Sequence, residues 1–330
     1  MNKLSIHSSN AAPKGRKLLL AASALALASL SLTGMAAAFV SDLAPEWLTP
    51  ERPEWRDYFA IDPVAERPEN PPQVDLTDGV TLKTTFYGSV AGFSAGKLHV
   101  EAVMAPKAYE MKYHLRQAGI SRWFSEAQND SLARGLIENG EIKSLYYQVD
   151  EFEKDDDYRK VELYRHSPDE RYKIWSEPEY IFKHPVTPEQ AEGTVDPLSA
   201  LALLGFAALP PGVEPCDRIV EIYDGNRRFN FEMEPAGYYE FRSKRKGRYQ
   251  GGAWRCKVSH VKIAGYREKD MQKKQKADSY VYLGVVPAEI RTMNLTYFPV
   301  LLEGRSGIIK AKLEPRDTVF IKSDGSQIAW

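Results

Sequence analysis

The chain has 330 residues, of which 43% are apolar and 27% are charged, with Lys+Arg 44 against Asp+Glu 45. This composition excludes a disordered, collagen-like or disulfide-dense small protein, and the length is sufficient for a large hydrophobic core. Positions 1–38 hold four of the basic residues and no acidic ones, so the remainder carries 40 basic and 45 acidic side chains, a net charge of −5. This mildly acidic balance argues against nucleic acid as a partner, because nucleic-acid binding requires a basic face.

The N-terminus has the features of a secretory signal peptide. The basic segment Lys14–Lys17 precedes an apolar run from Leu18 to Leu32, and small residues follow up to Ala38. We therefore predict a signal peptide over 1–38 and a periplasmic location. The alternative is an uncleaved anchor, since about 20 apolar residues span a bilayer. No later apolar run has that length, so we expect no membrane span in the mature chain.

Residues 39–78 form a proline-rich segment. Seven prolines lie between residues 44 and 72, a density that is incompatible with a regular helix or a central strand. The aromatic residues Trp47, Trp55, Tyr58 and Phe59 within the segment are unusual for a disordered spacer. We therefore predict an extended N-terminal arm that packs in part on the body.

From Gly79 onward, apolar and polar residues alternate with a period of two. Leu98, Val100 and Ala102, for example, alternate with His99 and Glu101. This pattern predicts strands with one buried and one wet face. Similar runs recur at 82–87, 109–115, 145–149, 161–164, 172–175, 219–223, 229–233, 238–242, 255–263, 280–286, 308–313 and 318–321. Residues 79–330 are therefore predicted to form one all-β, mainly antiparallel domain, a large curled sheet or open β-barrel that hides its edges.

One or two short helices interrupt the predicted sheet. Asp196 is a suitable N-cap, Pro197 suits the first helical position, and an almost wholly apolar run continues to Leu209. We predict a buried helix over about 197–209 that plugs or covers the sheet. The segment 125–139 is ambiguous between helix and strand, because it contains good helix formers and lies between strands.

Only two cysteines are present, Cys216 and Cys256. In an oxidising compartment an even number favours a disulfide, and closing a loop of about 40 residues stabilises by ~4 kcal/mol in the chain-entropy model. The alternative is a pair of buried free thiols. Neither cysteine lies in a C-x-x-C motif or near clustered histidines, so we expect no redox activity, metal or cofactor there.

Several short motifs resemble the DUF3108 family of exported bacterial proteins. They lie at Phe86–Gly96, Gly193–Leu201, Asp224–Gly225, Trp254–Val258 and Pro287–Ile290, so the resemblance covers about residues 80–315. It implies an exported β-sheet protein shaped like an open, spiralling barrel, similar in outline to periplasmic lipoprotein carriers and to alphaproteobacterial envelope-integrity proteins. The resemblance implies no established activity and transfers no catalytic residues.

One motif suggests an alternative, a serine hydrolase. Gly92–Gly96 matches G-x-S-x-G with Ser94 at the nucleophile position. A nucleophile elbow requires a helix after the serine, whereas Lys97–Glu101 alternates like a strand. We therefore interpret the motif as a glycine-rich hairpin turn, expect His99 to be an ordinary exposed strand residue, and expect no enzyme.

Aromatic residues are the remaining signal. They are concentrated at Trp123, Phe124, Tyr146, Tyr147, Trp175, Tyr180 and Phe182. A curled sheet lined in this way could hold a lipid or another apolar ligand, or a partner polypeptide. The alternative is a solid-core structural scaffold in which these side chains are plain core. The preferred hypothesis is a non-enzymatic periplasmic cell-envelope protein of this binding type, whose ligand and oligomeric state the sequence does not identify.

Overall fold

The computed structural model describes residues 61–62, 66–117, 128–152, 158–179, 184–205, 214–243, 245–272, 278–291 and 295–330. The predicted signal peptide and most of the proline-rich arm lie outside these ranges. So do four of the aromatic residues considered above, Trp123, Phe124, Tyr180 and Phe182.

The body is one sheet of fifteen strands. The first eight are β1 (Ile61–Asp62), β2 (Val80–Val90), β3 (Phe93–Met104), β4 (Ala108–Gln117), β5 (Gln128–Glu138), β6 (Glu141–Phe152), β7 (Tyr158–Tyr164) and β8 (Tyr172–Glu177). The remaining strands are β9 (Arg218–Tyr223), β10 (Arg228–Phe241), β11 (Gly251–Ala264), β12 (Asp278–Val285), β13 (Tyr297–Ser306), β14 (Ile309–Ile321) and β15 (Gln327–Ala329).

The sheet consists of two antiparallel meanders. The order is β1-β8-β7-β6-β5-β4-β3-β2-β14-β13-β12-β11-β10-β9, with β15 paired to β14. Strands β2 to β8 follow one another, strands β9 to β14 do the same, and β2 joins the meanders by pairing with β14. Among the described strands, the two-residue β1 alone pairs in parallel, with β8, and Val195 makes an isolated parallel bridge to Ile222. The prediction of an all-β, mainly antiparallel, curled sheet with few short helices is confirmed.

Turn residues account for the hairpins. Asn139 and Gly140 both have positive φ, 53° and 81°, between β5 and β6. This conformation is typical of Asn-Gly in a two-residue hairpin turn. The ambiguous segment is therefore a strand over 128–138. It contains good helix formers, but pairing with β4 on one side and β6 on the other outweighs their helix propensity.

The helices are short. They are α1 (Pro188–Ala191), α2 (Pro197–Gly205), α3 (Glu268–Met271) and one 3₁₀ turn at Ala288–Ile290. Helix α2 begins where the sequence predicts it, and the rest of the predicted segment up to Leu209 lies outside the described residues. It contacts β4, β5, β6, β9 and β13, which belong to both meanders. An apolar helix can make contacts on so many sides only from within the curled sheet.

The two ends of the sheet, at β9 and at β8 next to the short β1, approach each other through a segment before α2. The Val195 amide donates to the Glu221 carbonyl at 3.0 Å, and the Tyr223 amide donates to the Val195 carbonyl at 2.9 Å. On the other side, the Tyr172 hydroxyl of β8 donates to the Thr194 carbonyl at 3.2 Å. Residues 194–195 therefore connect β8 to β9 across the gap.

Strand β13 shows where the period-two pattern fails. Phe298, Val300 and Leu301 are each less than a tenth exposed, although Phe298 packs in the main hydrophobic cluster and the other two pack in a separate cluster. A strand that is buried on both faces is apolar throughout and carries no alternation. The alternation pattern therefore does not predict this strand. Among the described residues, no helix is long and apolar enough to cross a membrane.

Candidate functional site

A groove of about 580 Å³ lies on the sheet where β2 to β6 run side by side. Most of the side chains that line it point away from the hydrophobic core. The residues next to them along each strand point inward and belong to that core. The outward lining comprises Lys83, Thr85, His99, Glu101, Lys112, His114, Asp130, Leu132, Gln148 and Asp317. The groove therefore presents mixed charges and hydrogen-bonding groups outside the curled sheet.

Four polar side chains cross the groove in one row. Thr85, His99, His114 and Asp130 face one another in successive strands. The Thr85 hydroxyl lies 2.9 Å from Nδ1 of His99. At the other end Nδ1 of His114 hydrogen-bonds to the Asp130 carboxylate, and the two imidazole centroids are 6.4 Å apart. His99 is exposed, as the sequence predicted, but it has a second imidazole directly opposite.

Ion pairs occupy the neighbouring row. Lys83 Nζ lies 3.1 Å from the Glu101 carboxylate. Lys112 Nζ lies 2.7 Å from Glu110, and Arg134 Nε also contacts that carboxylate. Burial raises the pKa of Glu110, but hydrogen bonds from Lys112 and Arg134 outweigh that effect and hold its pKa below the ordinary value. Glu110 is therefore ionised at neutral pH, and both lysines have carboxylate partners.

The inner face of the sheet is packed. Most of the described core residues belong to one continuous hydrophobic cluster that includes Tyr109, Tyr147, Phe298 and residues of α2. The Tyr147 hydroxyl is buried and has no hydrogen-bond partner within the described part of the chain. Burial therefore raises its pKa far above the ordinary value.

Two aromatic residues that the sequence analysis placed inside the sheet lie on its outer face. Trp175 shares an outward row with Gln148 and Glu162, and the Tyr146 hydroxyl donates to the Gln148 side chain at 2.8 Å. Arg67 of the N-terminal arm lies 4.8 Å from the Trp175 ring and 3.0 Å from the Glu162 carboxylate. Arg67 covers part of the Trp175 ring, and the aromatic character of these residues does not distinguish an outer-face position from burial inside.

A buried polar network surrounds the start of α2. Asp196, Ser199, Ser144 and Tyr109 are all fully buried. One Asp196 carboxylate oxygen accepts from the Leu198 and Ser199 amides at 2.9 Å, and the other accepts from the Ser144 and Ser199 hydroxyls. Tyr109 then hydrogen-bonds to the Ser199 hydroxyl. Burial raises the pKa of the Asp196 carboxyl above its ordinary value, although these four donors oppose the shift.

The predicted disulfide is present. Cys216 and Cys256 are bonded, with Cα atoms 5.1 Å apart. In the register of the sheet Cys256 faces Pro235 of β10, and β10 lies between β9 and β11. Strands that are two positions apart in a sheet are separated by roughly 9.5 Å. The segment before β9 must therefore fold over β10 to reach β11.

Among the described side chains, one group of three potential metal ligands lies close together, Glu214 with the two cysteines. The disulfide rules this group out as a metal site. Both sulfurs are consumed by the S–S bond, so neither is a thiolate ligand. The Glu214 carboxylate instead accepts from the Cys216 amide at 2.8 Å.

Ser94 lies in the β2–β3 hairpin rather than in a nucleophile elbow. The turn is made by Ala91 and Gly92, both with positive φ, and Ser94 is an exposed residue at the start of strand β3. The strand–turn–helix geometry that presents a nucleophilic serine is therefore absent at this position.

The row of two histidines was missed by the sequence analysis, although a signal was available. Paired positions in an antiparallel hairpin have a constant sum of residue numbers. Once the turn between β3 and β4 is placed at 105–107, residue 99 must face residue 114. Their alternation patterns also place both on the wet face.

Comparison with known proteins shows a likeness in structure and none in sequence. No family model matches the chain, and no curated protein matches it. Among solved structures, it is similar to a β-barrel-like protein of the domain of unknown function DUF1849 from Brucella abortus, with 7% identity and a TM-score of 0.39. The match covers 73% of this chain and 97% of that one.

Proposed function

We propose that this protein is an exported, non-enzymatic cell-envelope protein that binds a partner polypeptide on the outer face of its sheet. The observation that carries the proposal is the contrast between the two faces. The described inner face is filled by the core and α2, whereas the outer face over β2 to β6 has an open groove of about 580 Å³.

The chemistry of the groove favours a polypeptide over a lipid. Its outward lining includes two lysines, three carboxylates, two histidines and Gln148, with Leu132 as an apolar contact. Alternating donors and acceptors of this kind suit the backbone and mixed side chains of a polypeptide segment, whereas an acyl chain requires an apolar pocket.

The exported location rests on the leader pattern and the disulfide. Structural disulfides persist in oxidising compartments such as the bacterial periplasm. The proposed membership of the DUF3108 family, which rests on the short motifs in residues 80–315, is in keeping with this location.

Site-specific photocrosslinking in the cell tests the binding surface. A benzophenone amino acid at Leu132 lies in the groove, and the same group at Ile308, 99% exposed at the β13–β14 turn, is the matched control. We expect a discrete crosslinked polypeptide from position 132 and none from position 308. Identical products from both positions, or no product from position 132, would count against the groove.

Two further measurements separate the alternatives. Native mass spectrometry of the purified protein would reveal a stoichiometric lipid if the interior, and not the groove, holds a ligand. A serine-reactive phosphonate that labels the wild type but not Ser94→Ala would establish a hydrolase and end the non-enzymatic proposal.

Export is tested independently of binding. Thiol alkylation with a maleimide polymer under denaturing, non-reducing conditions should leave the full chain unmodified, because the buried Cys216 and Cys256 are joined after export. A chain without residues 1–38 should stay in the reducing cytoplasm and gain two polymer chains. Modification of the full chain would contradict export.

A further inference from the structure

We infer that His99 and His114 form a binding site for a divalent transition-metal ion of the zinc type. The two imidazoles lie directly opposite each other in β3 and β4, on the outer face of the sheet, where both are accessible to solvent. Neutral imidazole nitrogen is a preferred ligand of Zn²⁺. The site does not require the groove to hold a polypeptide.

The orientation of both rings supports this assignment. In each ring it is Nδ1 that has a side-chain oxygen partner, from Thr85 for His99 and from Asp130 for His114. Because a carboxylate only accepts, Nδ1 of a neutral His114 carries the proton and its lone pair lies on Nε2. Metal-binding histidines typically have such an oxygen partner on the nitrogen that does not ligate.

The distances permit a shared ion after a small movement. Zn–N bonds of about 2.0–2.1 Å place the centroids of two coordinating imidazoles roughly 5–6 Å apart. The observed separation is 6.4 Å, so the rings need to approach by ~1 Å, which side-chain rotation at an exposed site provides. Two imidazoles leave two tetrahedral positions for water or for an atom of a molecule in the groove.

Mixed charges surround the pair. The ammonium groups of Lys83 and Lys112 each have a carboxylate partner, and Asp130 contributes a negative charge next to one of the imidazoles. Lys97 and Arg116 face each other in the adjacent outward row and add positive charge on the opposite side. The assignment therefore rests on the placement of the two imidazoles and not on the local field.

Isothermal titration calorimetry of the untagged full-length protein with Zn²⁺ tests the proposed metal site. We expect one ion per chain and a loss of affinity of roughly tenfold or more in His99→Ala and in His114→Ala. His166→Ala is the matched control and should bind as the wild type does. Binding that survives both groove substitutions, or that fails to saturate in the wild type, would overturn the inference.

The role of the row is tested by imidazole nitrogen NMR. On addition of Zn²⁺ the Nε2 resonances of His99 and His114 should shift together, while Nδ1 stays protonated. Asp130→Asn should weaken binding by about tenfold, since the carboxylate holds the ring in position. A shift at Nδ1, or at one ring only, would contradict the shared site.

Discussion

At the scale of single residues, Asp196 determines how the interior is organised. Its carboxylate caps α2 and at the same time accepts from Ser144 on β6, so one side chain fixes the helix to the sheet. A buried carboxylate is tolerated because four donors satisfy it. The capping role was predictable from Asp196-Pro197, but the contact with Ser144 was not, since it joins residues 52 apart.

Removing this carboxylate should destabilise the protein. Asp196→Ala leaves two amides and two hydroxyls without an acceptor in the core, so we expect a loss of about 2–4 kcal/mol in the free energy of unfolding. Asp196→Asn keeps one acceptor and should lose less. Urea denaturation measures both, with the exposed Asp169→Ala as the control. Equal stability of Asp196→Ala and the control would show that the network contributes nothing.

At the scale of elements, the sequence predicted most strands because each has one wet face. It missed β13, which is buried on both faces, and it assigned Tyr146 and Trp175 to the interior because aromatic residues are common in the core of β proteins. A hairpin signal such as Asp224-Gly225 is local and can be recognised from the sequence, and Asn139-Gly140 is of the same kind although its segment was left ambiguous. The groove is not local, because its row of side chains depends on the register of four strands.

Packing between elements leads to a prediction at Gly135 of β5. A Cβ built there would lie 2.2 Å from the Lys143 carbonyl and 2.6 Å from the Tyr109 hydroxyl. Gly135→Ala should therefore cost about 1–3 kcal/mol, because a neighbouring backbone and a network tyrosine must move.

Gly88→Ala is the matched control for this prediction. Its Cβ would meet no atom closer than 3.5 Å, and Gly88 also lies within a strand. Thermal unfolding of both variants should show a large decrease in Tm for Gly135→Ala and little change for Gly88→Ala. A similar Tm for the two variants would contradict the packing argument.

At the scale of the whole molecule, the disulfide holds the edge strand β9 in place. It ties the segment before β9 to β11, and the link spans 40 residues. In the chain-entropy model a loop of this length stabilises by ~4 kcal/mol. The pairing was predictable because the chain has only two cysteines, whereas the crossing over β10 was not.

Replacing both cysteines with serine should lower the free energy of unfolding by about 4 kcal/mol. Urea denaturation of the oxidised wild type and of Cys216→Ser/Cys256→Ser measures the difference. Reducing agent should shift the wild type towards the double variant and leave the variant unchanged. If the two proteins unfold at the same urea concentration, the bond adds no stability.

The pairing of β2 with β14 has a consequence for how the molecule acquires its shape. The hydroxyls of Thr84 and Thr318 meet at 2.8 Å across a separation of 234 positions in the chain. Contacts between such distant positions form slowly, because a long loop must close before they are made. The first long strand must therefore wait for almost the last one to be synthesised, and a truncated or stalled product would present bare main-chain donors and acceptors to its surroundings.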